Sequence, residues 1–281
     1  MDRNLGDFSY VGQYQAEGLI DRWVNGNIFP HFLLIAGDEG SGRKSLSYLI
    51  AKALKSQIYT ISDISVDSCR RLVETAYTID SRMVYLIPDC DGMSVAAKNS
   101  LLKLTEEPPE NAYIIMTLKS LDNTLNTLRS RSQHVVMEPY SREDLSKLCD
   151  NATICDIANT PGMVKTLEAL GYDNVNKFVD TCDKLISYID KVSIANALKS
   201  SNSIKFKESD KGYDLQLMLS GLEYALSRRI NDADQLVRIS CWYKVLARYR
   251  IMFNRPGVNK RAVYDKLVFD IRALLRRRQA N

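Results

Sequence analysis

The first 139 residues alternate between two hydrophobic rhythms. The run HFLLIAG at 31–37 is continuously apolar over the length of a strand, the pattern of a strand buried on both faces. Directly after it, Leu46, Leu49, Ile50, Ala53 and Leu54 fall at helical spacing and place one apolar stripe on an amphipathic helix. Further strands are predicted at 58–61 (IYTI), 84–87 (VYLI), 113–117 (YIIMT) and 135–137 (VVM). Between them the spacing predicts helices at about 67–78 and 94–105, the second opened by Ser94 and stopped by Pro108–Pro109. Strands alternating with helices predict an α/β domain whose mainly parallel sheet is covered on both faces.

After Pro139 the rhythm changes, and the rest of the chain reads as helices. A short helical segment at about 141–171 is punctuated by TPG at 160–162. Longer helices are expected near 173–199, 212–229, 233–253 and 259–278, with the polar stretch 200–212 a surface loop. Neither an internal repeat nor a low-complexity tract appears.

Composition narrows the class. A chain of 281 residues with 45% hydrophobic residues can bury a sizeable core in one to three domains. Its apolar runs are too short to span a bilayer, and the opening MDRNLGDFSY lacks an apolar leader core. Six scattered cysteines with no C-x-x-C pair favour reduced thiols over disulfides or a zinc site. A cytoplasmic protein without membrane contact or metal is therefore expected. Charge is uneven: residues 1–139 carry 14 basic against 17 acidic side chains, whereas residues 240–281 carry 11 against 2. The basic end suits contact with nucleic acid, but RALLRRRQAN also suits a solvated helix end whose arginines stabilise the dipole.

The chemistry concentrates in GDEGSGRKS at 37–45, which follows the first buried strand and opens a helix. Gly37, Gly40 and Gly42 would turn the backbone so that N–H groups and a helix N-terminus face a phosphate. A phosphate-binding loop reads G-x-x-x-x-G-K-[ST]. Here Arg43 follows the last glycine, Lys44 comes next, and the hydroxyl of Ser45 arrives one place late.

These residues, with SLLKLTEEPPENAYIIMTLKSLDNTLNTLRSRSQHVV at 100–136, VGQ at 11–13 and FPHFLLIAG at 29–37, resemble the bacterial clamp-loader subunits of AAA+ fold. The resemblance extends to GVNKRAVYDKLVFDIRALL near the end. It implies an AAA+ P-loop domain over 1–139, a small helical lid over 140–172 and an all-α collar over 173–281. Within the family, the chain is most similar to the delta-prime kind.

The departures from an active motor subunit bear on turnover. The resemblance puts Arg43 where a lysine would contact the β- and γ-phosphates, and Lys44 where a hydroxyl would ligate magnesium. Arginine is a planar fork rather than a compact ammonium, and lysine has no lone pair for a cation. Ser45 would be turned about 100° away around the helix. The acidic pair expected after VYLI reads Pro88–Asp89, with Asp91 two residues on. Gly162 stands where an active lid offers a phosphate-sensing arginine, Lys165 being the alternative. Thr117 matches the γ-phosphate sensor or simply finishes its strand. Family members of this kind carry a cysteine cluster for zinc; here only Cys69 lies in the corresponding interval. His31 and His134 read as packing residues, and Glu106–Glu107 as the end of a helix rather than a catalytic dyad.

By contrast, RSRS at 129–132 keeps the arginine of the family's S-R-C motif, with Ser132 in place of cysteine. In the family, that arginine reaches a neighbouring subunit's ATP site, where a planar fork can follow charge spreading over the γ-phosphate oxygens. Arg131 is thus the expected finger in trans, a surface arginine paired with a helix carboxylate being the plainer reading. The resemblance implies a non-hydrolysing scaffold. Its collar and AAA+ faces would meet other clamp-loader subunits, and the sliding clamp and primed DNA would be reached through the assembly. No cofactor is required; a nucleotide held without turnover stays open as a structural ligand. Two rival readings are an active ATPase using Arg43, Lys44, Asp89 and Asp91, and a DNA-binding adaptor using the basic end.

Overall fold

The computed structural model describes residues 11–199, 204–205, 213–229, 233–253, 255 and 257–276. Most of the predicted 200–212 loop, and residues 277–281 of the basic end, lie outside the described residues. The chain falls into two compact units, one of residues 1–147 with 160–162, the other of 148–159 with 163–281.

In the first unit, five parallel strands stand in the order β2-β3-β4-β1-β5: β1 (Phe32–Ala36), β2 (Gln57–Thr60), β3 (Met83–Ile87), β4 (Ala112–Leu118) and β5 (Gln133–Val136). β1 and β3 are buried at all five positions, as continuous apolar runs in a two-faced parallel sheet must be. α1 (Tyr14–Asn25) and α2 (Arg43–Ala53) cover one face, where Ala16, Ile20, Leu46 and Ile50 pack with Leu33, Ile35, Leu86 and Ile115. α3 (Val66–Thr78), α4 (Val95–Ser100) and α5 (Leu102–Glu106) cover the other, where Cys69, Leu72, Ala97 and Leu104 meet Leu34, Tyr85 and Met116.

Helix boundaries follow local chemistry. The Ser65 and Ser94 side chains accept from the N–H groups of Ser68 and Ala97 and so cap α3 and α4. The helix expected over 94–105 is two segments that meet at Leu101, a fully buried residue serving both as the end of α4 and the start of α5. α6 (Asn126–Arg129) leads into β5, and α7 (Arg142–Ser146) opens with a reciprocal capping box between Ser141 and Asp144. That network holds the Asp144 carboxyl below its usual range, chiefly through the Ser141 hydroxyl. α1 is a helix the hydrophobic rhythm did not predict.

The second unit is helical: α8 (Ala152–Ile157), most of α9 (Pro161–Leu170), α10 (Tyr172–Lys191), α11 (Ile194–Lys199), α12 (Leu215–Ser227), α13 (Ala233–Phe253) and α14 (Lys260–Arg276). The helix predicted over 173–199 breaks at Val192–Ser193. Ile204–Lys205, inside the predicted loop, pairs with Tyr213–Asp214, a short strand contact the sequence did not indicate. α12 approaches α10 at Gly221, where an added Cβ would lie 2.5 Å from Phe178 and 2.6 Å from the Cys182 sulfur. Burial pushes the Cys182 thiol up to about 12, consistent with an inert packing residue.

Candidate functional site

The loop expected to hold phosphate sits where the sequence places it, between β1 and α2. Gly40 and Gly42 take positive φ values of 78° and 91°, which glycine adopts without strain. Gly37 has no room for a side chain, since a Cβ would lie 2.6 Å from Met137. The N–H of Gly37 donates to the Leu118 carbonyl at 3.1 Å, fastening the loop to the end of β4.

The loop's polar groups turn inward to other parts of the same unit. The Gly162 N–H donates to the Gly40 carbonyl at 2.9 Å, and a Cβ on Gly40 would meet the Thr160 hydroxyl at 2.8 Å and Gly162 Cα at 3.0 Å. The Tyr140 hydroxyl donates to the Ser41 carbonyl at 2.7 Å. Arg43 is buried, its side chain 6% exposed, and Nη2 donates to Asp89 Oδ1 at 3.1 Å. Lys44 Nζ reaches the other Asp89 oxygen at 2.6 Å. Both cations of the loop therefore converge on one carboxylate. Ser41 Oγ and Arg43 Nη1 are buried without a hydrogen-bond partner among the described residues.

Asp89 itself is held in an unusual backbone. Its φ is 51°, a left-handed value, and its N–H donates to Thr117 Oγ1 at 3.0 Å. Thr117, fully buried at the end of β4, thus pins the turn after β3. Asp91 accepts from the Lys119 N–H at 2.8 Å and from Asn123 Nδ2 at 2.6 Å, so it braces the next loop. Ser45 is exposed on α2. Lys119 Nζ donates to Glu39 at 2.8 Å, and that bond holds the Glu39 carboxyl below its usual range.

This donor set does not fit a nucleoside triphosphate with magnesium. The cations that would face phosphate face Asp89, the carboxylates that would face magnesium already accept from nitrogen, and Asp38 and Glu39 add negative charge to the loop itself. Sequence reasoning found the members of this cluster but not the contacts of Gly162, Tyr140 and Glu39, which depend on residues far along the chain.

Arg131 lies at the opposite end of the sheet, in the turn before β5. Its Nη2 reaches Glu106 Oε1 at 2.7 Å and its Nη1 donates to the Thr127 carbonyl at 2.7 Å. Glu106, read from sequence only as a helix end, is the carboxylate that pairs with it. The Arg131 side chain remains 35% exposed. His31 stacks on Tyr113 with ring centroids 5.2 Å apart, while His134 is exposed on β5. All six cysteines are free thiols.

A parallel five-stranded sheet with a glycine loop after β1, which lies between β4 and β5, and with helices on both faces, is an AAA+ P-loop fold. The chain aligns with a mutant of Thermotoga maritima RuvB (TM-score 0.54, 16% identity) over 77% of its length and 90% of that chain. Residues 63–141 match the family described as DNA polymerase III, delta subunit. The chain is 28% identical to the DNA polymerase III subunit gamma of Buchnera aphidicola subsp. Schizaphis graminum over 48% of its length and 46% of that protein. It is 36% identical to the DNA polymerase III subunit delta' of Yersinia pestis over 25% of its length and 22% of that protein. It thus spans about half or less of the relatives it matches. Over these stretches the chain is similar in sequence to clamp-loader subunits of DNA polymerase III.

Proposed function

We propose that this chain is a non-hydrolysing, delta-prime-like subunit of a DNA polymerase III clamp loader. In this reading, 1–139 is the AAA+ domain, 140–172 the lid and 173–281 the collar through which related subunits associate. The assembly acts on the sliding clamp and primed DNA, and this chain donates Arg131 to a neighbouring ATP site. The observation that carries the reading is the convergence of Arg43 and Lys44 on Asp89. A site whose cations already neutralise its own carboxylate offers little to a γ-phosphate, and an arginine side chain 6% exposed is poorly placed to move toward one. Any nucleotide held there would be a structural ligand.

What the chain retains is a donor. Arg131 sits at the rim of the sheet, and a planar guanidinium supplies two N–H edges to spreading phosphate charge. In an assembly, Arg131 would orient and stabilise the γ-phosphoryl group on the neighbour; the nucleophile, the metal and the ATP would belong to that site. The basic end of the chain gives weaker support to direct DNA binding. Arg250 bonds to Gln216, Ser220 and Glu223, and buried Arg272 reaches the Ile189 carbonyl, so two of its arginines serve the helical core.

Steady-state ATPase tests both halves of this reading. The purified chain should show no magnesium-dependent turnover above background, with or without DNA. The loader reconstituted with its motor subunits should lose activity when Arg131→Ala replaces the native chain, while assembly by size-exclusion chromatography stays intact. A trans arginine is typically worth about 10³ or more at its own site. Turnover by the chain alone that vanishes in Lys44→Ala, or an unchanged loader rate with Arg131→Ala, would overturn the corresponding half.

A further inference from the structure

We infer that Glu106 is a positioning residue for Arg131, an inference that rests on the trans-donor reading above. Arginine has several rotatable bonds, and a finger free to sweep solvent would seldom point at a phosphate. Here two acceptors fix its plane. Glu106 Oε1 takes Nη2 at 2.7 Å and the Thr127 carbonyl takes Nη1 at 2.7 Å. A guanidinium carries five N–H donors, so two such contacts leave three for a ligand. The pair orients the fork without exhausting it.

The backbone behind each anchor is tied into the fold. Glu106 ends α5 immediately before Glu107 and the two prolines, and the Tyr77 hydroxyl donates to the Glu107 carbonyl at 2.9 Å. Lys103 lies over the Tyr77 ring, 5.6 Å from its centroid, and ties the same corner together. On the other side, fully buried Leu128 anchors α6, and the Arg131 N–H donates to the Leu128 carbonyl at 3.2 Å. A carboxylate at the last position of a helix is opposed by the helix dipole. Arg131 neutralises it there.

The pair is an aiming device rather than a lock. Glu106 is 46% exposed and Arg131 35%, and ion pairs between such solvated groups are weak. A γ-phosphate, with more charge than one carboxylate, can draw the free N–H edge without first displacing Glu106. Positioning also matters more than affinity in such a site, because misplacing a catalytic group by about 1 Å can cost on the order of 10²-fold in rate.

The test is the steady-state ATPase of the reconstituted loader carrying the native chain, Arg131→Ala, Glu106→Gln or both. Glutamine keeps the length and one acceptor but loses the charge. We expect Glu106→Gln to remove much of the turnover that Arg131→Ala removes, to lower kcat with KM for ATP unchanged, and to leave assembly intact. The double variant should do no worse than Arg131→Ala alone, since residues acting as one unit are not additive. Glu106→Asp, whose shorter carboxylate restores the charge, should recover part of the loss. A loss with Arg131→Ala but none with Glu106→Gln would overturn this inference and leave the donor standing. A gain with Glu106→Gln would overturn it too, marking the carboxylate as a mask. No loss with Arg131→Ala would remove the donor and the positioning role together.

Discussion

The backbone N–H of Gly162 donates to the carbonyl of Gly40 at 2.9 Å, joining the glycine loop to the turn that opens α9. Neither residue has room to be anything else. A Cβ on Gly162 would stand 2.5 Å from Gly40 Cα, closer than real contacts allow. Two glycines 122 positions apart thus make one close backbone crossing.

Replacing either should be costly in different ways. Gly40→Ala adds left-handed strain of about 1–2 kcal/mol before any overlap with Thr160 is counted. Gly162→Ala has no such conformational penalty but drives its methyl into backbone. Gly171→Ala is the control: φ is 80° there too, yet nothing lies within 4 Å of the added Cβ. Urea denaturation should rank Gly171→Ala as the mildest of the three. Equal losses for Gly40→Ala and Gly171→Ala, with none for Gly162→Ala, would show that strain alone, without the crossing, sets the cost.

Asp89 should prove structural for the loop. Asp89→Ala leaves the buried Arg43 guanidinium without its carboxylate, and an unsatisfied buried polar group costs about 1–3 kcal/mol. Lys44→Ala, removing a side chain 53% exposed, should cost less than about 1 kcal/mol. The comparison is made by chemical denaturation of the purified chain, and the reverse order would contradict the internal ion pair.

Nucleotide should not stabilise the fold. A ligand present at about 100 times its Kd raises stability by about 2.7 kcal/mol, a shift easily seen in thermal unfolding. Magnesium-ATP at millimolar concentration should leave the melting curve unchanged. A clear upward shift would mean that the Arg43–Asp89 pair opens to admit phosphate.

Glu223 in the helical unit should impose a pH signature. Burial raises its pKa, while Arg250, 2.7 Å away, pulls it down. A carboxyl whose folded pKa exceeds its unfolded one binds more protons when folded, so stability falls as pH rises between the two values. Arg250→Ala removes the opposing charge, widens that interval and steepens the fall. The loss caused by Arg250→Ala should therefore be smaller near pH 4.5 than at pH 8, as read by denaturation at both. A loss independent of pH would mean that packing by the arginine stem, not its charge, is what matters.

Much of the AAA+ sheet was legible because its strands are continuous apolar runs bounded by turns, and the predicted positions lie within a residue or two of β1 to β5. α1 went unpredicted although Ala16, Leu19, Ile20, Trp23 and Val24 repeat at helical spacing; Ala16 and Ile20 are buried, and the other three pack half-buried against the same core. The break at Leu101 was hidden by a leucine whose apolarity fits either a continuous helix or two joined segments. At the candidate site, the glycine spacing of Gly37 to Ser45 marked the loop between β1 and α2, whereas Thr117 and Asp89 were singled out only through the resemblance to a family. What spacing could not carry was pairing across the chain. Asp89 with Arg43, Gly40 with Gly162 and Glu106 with Arg131 all join residues separated by 25 or more positions.

β1 and β5 run side by side, with Leu33 opposite Gln133 and Ala36 opposite Val136. The glycine loop leaves the upper end of that pair, and Arg131 enters at the lower end, some five residues or about 15 Å away at strand rise. Changes separated by more than about 7–10 Å with no shared partners usually act independently. The two ends can therefore be altered one at a time. On the reading proposed above, such a chain would be a silent reporter for anyone counting hydrolysis events in a reconstituted loader: with its own loop mute, every phosphate released after a change at Arg131 would be a neighbour's signal.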